Sequence, residues 1–237
     1  MDIYKYEQTD STNLRAKEFV LSGGALPCLF VANSQTMGRG RMGKSFYSPK
    51  DSGLYMTLAL PFDYIDCDKV SVTSLSAVAV ALAIKEVCGI DTGIKWVNDL
   101  YIGNKKVCGI LTELICEPQS NKPLSIIIGI GINLSTKVFP SEIENIATSL
   151  FVSVDLKERL CEKITENILN IKDNAFMKEY KRLSIVLGKE ICYTVNGVDY
   201  QGVAVDINDK GHLEVLSDDG IKRTLSSGEI SLKLKRD

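Results

Sequence analysis

Gly38-Arg39-Gly40-Arg41-Met42-Gly43-Lys44-Ser45 carries the letters of the phosphate-loop pattern G-x-x-x-x-G-K-[ST], and whether it works as one decides the fold. A phosphate loop needs a helix to start at its Lys-Ser, so that backbone N–H groups and the helix dipole meet the anion. Here Phe46-Tyr47-Ser48-Pro49 and then Asp51-Ser52-Gly53 follow, and they cannot sustain that helix. No apolar run ending in a magnesium-binding Asp lies downstream either. The segment therefore reads as a loop and not as the opening of a nucleotide-hydrolase fold. Three glycines and three cations between positions 38 and 44 still describe a pliable backbone with concentrated positive charge, which suits folding over an anion. Ordering such a backbone costs on the order of 1–2 kcal/mol per residue, so the loop is expected to be a mobile lid, ordered by charge-assisted hydrogen bonds to an anionic ligand.

The surrounding chain narrows the ligand. Its 237 residues are 45% hydrophobic and 24% charged, enough for one large domain or one large and one small. A net charge of −2 disfavours attraction of the whole molecule to nucleic acid, so the local cations point to a small anionic ligand and not to DNA. The start Met-Asp-Ile-Tyr-Lys lacks the layout of a signal peptide, and no apolar run is read as approaching the roughly 20 residues of a membrane span. A cytoplasmic protein without a membrane partner is expected. Seven cysteines without a C-x-x-C pair read as reduced, mostly core residues. One histidine, His212, in a β-rich terminal segment argues against a multi-histidine metal site or a Ser/His/Asp triad, and reads as a surface residue of a strand.

Periodicity outlines the elements. Ile3–Tyr6 and Cys28–Ala32 read as strands flanking a helix that starts at Thr9-Asp10-Ser11-Thr12-Asn13 and stops at Gly23-Gly24. Gly53–Leu60 reads as a strand, 70–88 as an apolar helix, and Ser125–Leu134 as a buried strand. Asp155 and Glu158 form a capping box for a helix with Leu156, Leu160, Ile164, Ile168 and Ile171 on one face, running to about Tyr180. Beyond Gly188, five short strands with tight turns (Ile191–Val195, Gln201–Ile207, His212–Leu216, Lys222–Leu225 and Glu229–Leu234) predict a small β-barrel, with a boundary near residue 187.

A second constellation lies at Lys95-Trp96-Val97-Asn98-Asp99-Leu100 and Lys105-Lys106-Val107-Cys108-Gly109-Ile110-Leu111, on either side of a Gly103-Asn104 hairpin turn. Simple pairing sets Tyr101 opposite Lys106 and Asp99 opposite Cys108, which places all four on one face and Lys105 on the other. A lysine on an inner face needs an anionic partner, either Asp99 or a ligand. Gly109 suggests a close backbone approach on that face, and Trp96 reads as core. Gly129-Ile130-Gly131-Ile132-Asn133-Leu134 is a glycine-bearing strand end that by itself reads as tight packing.

Together, Ser11-Thr12-Asn13, Gln35 ahead of the glycine loop, Ser48-Pro49, the Lys95–Leu100 run, Lys106 with Gly109-Ile110-Leu111, and Gly129–Asn133 resemble biotin protein ligase over nearly the whole chain, and Gly188 through Ser227-Gly228-Glu229 resembles that family's SH3-like tail. The resemblance implies an α+β fold of the class II synthetase and biotin ligase type. Its catalytic domain, residues 1–186, would hold a mixed, largely antiparallel sheet flanked by helices, and residues 187–237 an SH3-like barrel. It implies an enzyme that activates biotin with ATP and Mg2+ as biotinyl-5'-AMP and passes the biotinyl group to a lysine of a biotin carboxyl carrier domain. Carried over position by position, biotin would be met by Ser11, Thr12, Asn13, Gln35, Arg39, Gly40, Arg41, Lys106 and Gly109. ATP and the adenylate would be met by Arg39, Arg41, Lys44, Asn98, Lys106 and Asn133, with Lys106, Arg41 and Asp99 as the catalytic set and the metal ligands left open. A homodimer through a sheet edge near Gly109–Cys116 is a further implication. Because the chain opens at the first catalytic strand, repression of transcription is not expected.

Two other readings share the features. A lipoate ligase or octanoyl transferase would have the fold, but its Arg-Arg-x-Ser-Gly-Gly-Gly type of segment is not found, and a non-catalytic biotin-binding module would need a damaged Lys106 or basic loop. Three departures from the family pattern are Val97 for proline, Phe46 where tryptophan is commoner, and Lys44 for an arginine. None removes a charge, although Lys44 gives up the bidentate phosphate geometry of arginine. Trypsin should cut first within Arg39–Lys44, and more slowly when biotin and ATP are present; mass spectrometry of a limited digest reads both.

Overall fold

The computed structural model describes residues 1–64, 69–170, 175–195 and 197–232. Seven strands, β1 (Asp2–Tyr6), β2 (Cys28–Ala32), β3 (Gly53–Pro61), β4 (Gly93–Lys95), β5 (Asp99–Ile102), β6 (Lys105–Cys116) and β7 (Pro123–Asn133), form one sheet in the order β1-β2-β3-β7-β6-β5-β4. Only β1 and β2 run parallel; every other neighbouring pair is antiparallel, which gives the expected mixed sheet.

The alternation of residues along β3 and β7 gives the sheet two different faces. Leu54, Met56, Leu58 and Leu60 of β3 and Ile126, Ile128, Ile130 and Ile132 of β7 point to one side, where they join the large core. The helices α2 (Lys69–Cys88) and α3 (Lys157–Asn170) cover that side. On the opposite side α1 (Thr12–Leu21) lays Ala16 and Val20 over Cys28, Phe30, Ala59, Ile115 and Ile127. This helix covers only one end of its face. Beyond its N-terminus the odd-numbered positions of β6 and β7 are Gly109, Leu111, Gly129, Gly131 and Asn133, and the glycines leave the sheet there with a floor poor in side chains.

Several expectations need correction. Residues 70–88 are long and apolar enough to cross a membrane by length and composition, contrary to the reading that no run approaches this; the helix is mostly buried inside the fold, and its length and apolarity serve the core. The long helix predicted to end near Tyr180 is two, α3 and α4 (Ala175–Leu183), and Ile171 lies outside the described residues. Asp155 and Glu158 form no capping box. The Ser153 hydroxyl instead accepts from the Asp155 N–H at the start of a short 3-10 turn, and Glu158 reaches away to Lys5. His212 precedes a strand instead of lying in it. Cys28, Cys108 and Cys161 are buried and Cys88, Cys116 and Cys192 partly so, all six as free thiols; Cys67 lies outside the described residues.

The C-terminal strands β8 (Glu190–Val195), β9 (Val198–Ile207), β10 (Leu213–Ser217), β11 (Lys222–Leu225) and β12 (Ile230–Leu232) form a five-stranded antiparallel sheet in the order β11-β10-β9-β8-β12, consistent with the expected SH3-like unit. The last strand was predicted to run to Leu234, which lies outside the described residues. Ile191, Ala204, Leu213 and Val215 share the core cluster of the larger sheet, and the Trp96 indole donates to the Gly211 carbonyl at 2.9 Å. Trp96 is thus core, as read, and also joins the two sheets. Ile128→Ala, which empties a fully buried position, should cost about 2–5 kcal/mol in urea unfolding, whereas Leu82→Ala on the exposed side of α2 should cost less than about 1 kcal/mol.

Candidate active site

The bare part of the sheet is the floor of a cavity of about 410 Å3. Every residue expected to meet biotin or ATP or to act in catalysis lines it: Ser11, Thr12, Asn13, Gln35, Arg39, Gly40, Arg41, Lys44, Asn98, Asp99, Lys106, Gly109 and Asn133. The glycines are there for space. A Cβ on Gly129 would lie 2.0 Å from Asn13 Oδ1, and one on Gly131 would lie 2.5 Å from the Phe46 ring. At Gly109 it would lie 3.0 Å from Lys106 Nζ and 3.3 Å from the same ring.

At one end of the cavity a chain of hydrogen bonds fixes the polar groups. Asn13 Nδ2 donates to Glu113 Oε2 at 2.8 Å, so its Oδ1 faces Thr57 and takes that hydroxyl's proton at 2.7 Å. Thr57 Oγ1 also lies 2.8 Å from Thr12 Oγ1. The Thr12 N–H and hydroxyl both point to Gln35 Oε1, at 2.8 and 3.1 Å. Gln35 Nε2 then donates to Ser48 Oγ at 2.9 Å, and Ser48 donates to the Phe46 carbonyl. Ser11, at the N-cap of α1, makes no capping bond with its hydroxyl. Thr57 is fully buried, and a buried hydroxyl pays for desolvation unless paired, which explains why this network is closed on itself.

Over this floor lies the glycine loop. It is not followed by a helix; Arg41–Gly43 is a single 3-10 turn with Met42 (φ 53°) and Gly43 (φ 76°) in the left-handed region. Gly40 N–H donates to the Lys44 carbonyl at 2.7 Å and Phe46 N–H to the Gly38 carbonyl at 2.8 Å, so the loop is a small hairpin closed at its neck. Gly38 is needed at that neck, since a Cβ there would lie 2.3 Å from the Phe46 carbonyl oxygen. Phe46 reaches back from the hairpin onto Gly131 and Gly109.

Each cation of the loop and floor has a partner. Arg41 donates to Asn98 Oδ1 at 3.1 Å; Asn98 Nδ2 donates to Asp99 Oδ1 at 2.8 Å, and Lys106 Nζ lies 2.7 Å from the same oxygen. Lys44 pairs with Glu229 at 2.6 Å, and the Arg39 guanidinium faces Glu113 at 3.8 Å. The predicted hairpin register is off by one. A bulge between Leu100 and Tyr101 sets Asp99 opposite Gly109 and Leu100 opposite Cys108, so Cys108 turns into the core, where burial pushes its thiol pKa up. Tyr101 does face Lys106, and Lys105 points away and donates to the Glu144 carbonyl.

Several lining groups escaped the sequence reading. Lys95 stands 5.5 Å above the Tyr101 ring; burial lowers its pKa, opposed by the Asp99 carboxylate, and burial pushes Tyr101 up to about 12. Glu229 comes from the C-terminal sheet's approach to β12. Behind the lining, Thr57 and Glu113, which hold Asn13, are polar residues in apolar strands, a signal that was available. The stretch Pro140–Thr148, without periodicity, forms a wall: Lys106 N–H donates to the Ile146 carbonyl at 2.8 Å and Thr148 N–H to the Lys106 carbonyl at 2.9 Å. Asn133 Nδ2 donates to the Thr148 carbonyl at 3.0 Å, and its buried Oδ1 has no protein partner.

Comparison with known proteins agrees with this geometry. Residues 6–133 match the model of the biotin/lipoate A/B protein ligase family, and residues 186–233 that of the biotin protein ligase C terminal domain. The bifunctional ligase/repressor BirA of Bacillus subtilis is 34% identical over 235 residues, an alignment covering 94% of this chain and 71% of that protein. The biotin--[acetyl-CoA-carboxylase] ligase of Mycobacterium tuberculosis is 26% identical, over 94% of this chain and 86% of the relative. The structure of Aquifex aeolicus biotin protein ligase in complex with biotin and ATP superposes with a TM-score of 0.81 at 28% identity, covering 98% of each chain. The chain belongs to the biotin/lipoate A/B protein ligase family, in which it stands with the biotin protein ligases. Gly131→Ala should push Phe46 off the floor and speed hydrogen exchange of the Gly40 and Phe46 amides, while the amides of β3 and β7 keep their protection; mass-resolved exchange measures both.

Proposed function

We propose that this cavity activates biotin with ATP and passes the biotinyl group to a lysine of a biotin carboxyl carrier domain. The observation that carries the reading is the joining, in one cavity, of a fully paired neutral network at Thr12, Asn13 and Gln35 with a cluster of cations at Arg39, Arg41, Lys44 and Lys106. The neutral end suits an uncharged, hydrogen-bonding ring system such as the ureido ring of biotin. The cationic end suits its carboxylate and the phosphates.

In the first step a carboxylate oxygen attacks the α-phosphorus of ATP, the bond from that phosphorus to the α,β-bridging oxygen breaks, and pyrophosphate leaves. Lys106 and Arg41 would hold the approaching anions together and stabilise the charge as it moves to pyrophosphate. Lys44 would contact phosphate as a point charge. Asn133, with a buried carbonyl oxygen awaiting a donor, would take the amino group of adenine, and Asn98 would hold Arg41 in place. In the second step the acceptor amine attacks the acyl carbon, AMP leaves, and the amine gives up a proton; Asp99, already bonded to Lys106 and Asn98, is our candidate for receiving it.

Among the described residues no group of three or more acidic, histidine or cysteine side chains converges to hold a metal. Asp99 and Glu229, the carboxylates lining the cavity, are each engaged by a lysine. This donor set fits a magnesium ion that enters with the triphosphate, keeps phosphate and water oxygens as most of its ligands, and neutralises the phosphates as they meet the carboxylate.

The same reading places a catalytic domain at 1–186, a C-terminal domain at 187–237 and the reaction in the cytoplasm, in keeping with six free thiols. It also holds a homodimer through β6. That strand is not an edge at Gly109, which pairs with β5 and β7, but among the described residues no strand flanks Leu111–Cys116 on the β5 side, so the open edge is this shorter stretch. The net charge of −2 supports the carrier protein, and not DNA, as the macromolecular partner. With biotin and ATP labelled in the γ-phosphate, the folded chain should release labelled pyrophosphate; no release would exclude the ligase, and release with lipoate or octanoate in place of biotin would favour the neighbouring activities. Lys106→Gln should lower kcat by about 10²–10³-fold.

A further inference from the structure

Glu113 is the one charged side chain in the apolar run from Val107 to Cys116 of β6, and it meets two donors that belong to different parts of the cavity. Its Oε2 accepts from Asn13 Nδ2 at 2.8 Å, and its Oε1 faces the Arg39 guanidinium at 3.8 Å. Asn13 belongs to the neutral network of the floor. Arg39 opens the hairpin that covers the cationic end. We propose that Glu113 is a positioning residue that couples occupation of the neutral end to closure of the loop, an inference that rests on the biotin ligase reading above.

The proton count calls for an acceptor here, and two donors on opposite sides call for a carboxylate. Asn13 is 5% exposed, and its Oδ1 accepts from the Thr57 hydroxyl, so its Nδ2 must find acceptors; Glu113 is one and the Leu111 carbonyl, at 3.4 Å, is the other. With Nδ2 held there, Thr57 must give its single proton to Asn13, and Thr12 keeps its own for Thr57 or Gln35. The donor and acceptor pattern of the floor is therefore set from Glu113 inwards. Its second oxygen remains for Arg39. A carboxylate can accept from both groups, whereas an amide has one oxygen and must turn its NH2 toward one of the two donors.

A ligand seated against Thr12 and Gln35 packs the network against Asn13, steadies the Glu113 carboxylate and so favours the Arg39 position that closes the hairpin. A ligand that never reaches the floor gains no such help. The coupling works in both directions, because linkage is reciprocal.

Glu113→Gln separates the two roles. The buried contact to Asn13 is the shorter one, so the amide oxygen stays with Asn13 and the NH2 faces the Arg39 cation. We expect biotin's slowing of tryptic cleavage between Arg39 and Lys44 to fall about two-fold in this variant, and its biotin KM to rise by that same factor and no more. Glu113→Ala, which strips both partners, should raise the biotin KM about ten-fold as well. Equal protection by biotin in the unsubstituted protein and Glu113→Gln would overturn the coupling, as would equal KM changes in the two variants or no protection by biotin in an active protein. Absence of pyrophosphate release from the unsubstituted protein would instead overturn the ligase reading itself, so the two failures are told apart.

Discussion

The contact of Phe46 with two glycines of the sheet governs the rest of the site. Gly109 and Gly131 sit opposite each other on β6 and β7, and the Phe46 ring occupies the space that their Cβ atoms would fill. Because the ring belongs to the segment leaving the glycine hairpin, the hairpin's height above the floor follows from that packing. The floor's cations and the loop's cations thereby come to face one cavity. Glycine within a strand normally weakens it. Here the loss is offset from the other face, where Ile126, Ile128, Ile130 and Ile132 of the same strand are buried under α2 and α3.

That division of labour between faces explains why the sequence showed some parts plainly and hid others. The helices and most strands were legible because a single periodicity ran through each: β2 and β11 fall on the predicted residues, and α2 differs by one residue at its start. The glycine loop was legible through its chemistry, since Pro49 ruled out the helix that a phosphate loop needs. The cavity residues of the two constellations were also recognised, from the order and spacing of short motifs over nearly the whole chain. What failed depended on one-residue shifts and on long-range pairing. The β6 bulge displaced Cys108 from the site face to the core, because alternation counts residues and cannot see an extra one. Pro140–Thr148, which pairs in part with the backbone of Lys106, has no period to read. Thr57 and Glu113 could have been found as polar residues in apolar strands, yet their meaning depends on Asn13, which is 44 and 100 residues away respectively.

The C-terminal sheet presents a related lesson. Composition and turn spacing mark it as a separate small β unit, but its inner residues continue the main core, and Glu229 at its last strand reaches the loop through Lys44. A unit defined by its turns is thus tied to the larger sheet by its packing.

The cations of the site are already paired before any anion arrives: Arg39 with Glu113, Arg41 with Asn98, Lys44 with Glu229 and Lys106 with Asp99. Partners of this kind reduce the free charge of the cavity, which would seem to work against an anionic ligand. The geometry argues otherwise. These groups keep contact with solvent, with side-chain exposures of 63% and 50% for Lys44 and Glu229 and 31% and 22% for Lys106 and Asp99, so each pair contributes little net stability and is readily shared with a phosphate or carboxylate. What the pairs do fix is position. A lysine or arginine held in place gives up less conformational freedom when the anion binds, and only charge that develops during the reaction gains the full effect of cations placed in advance.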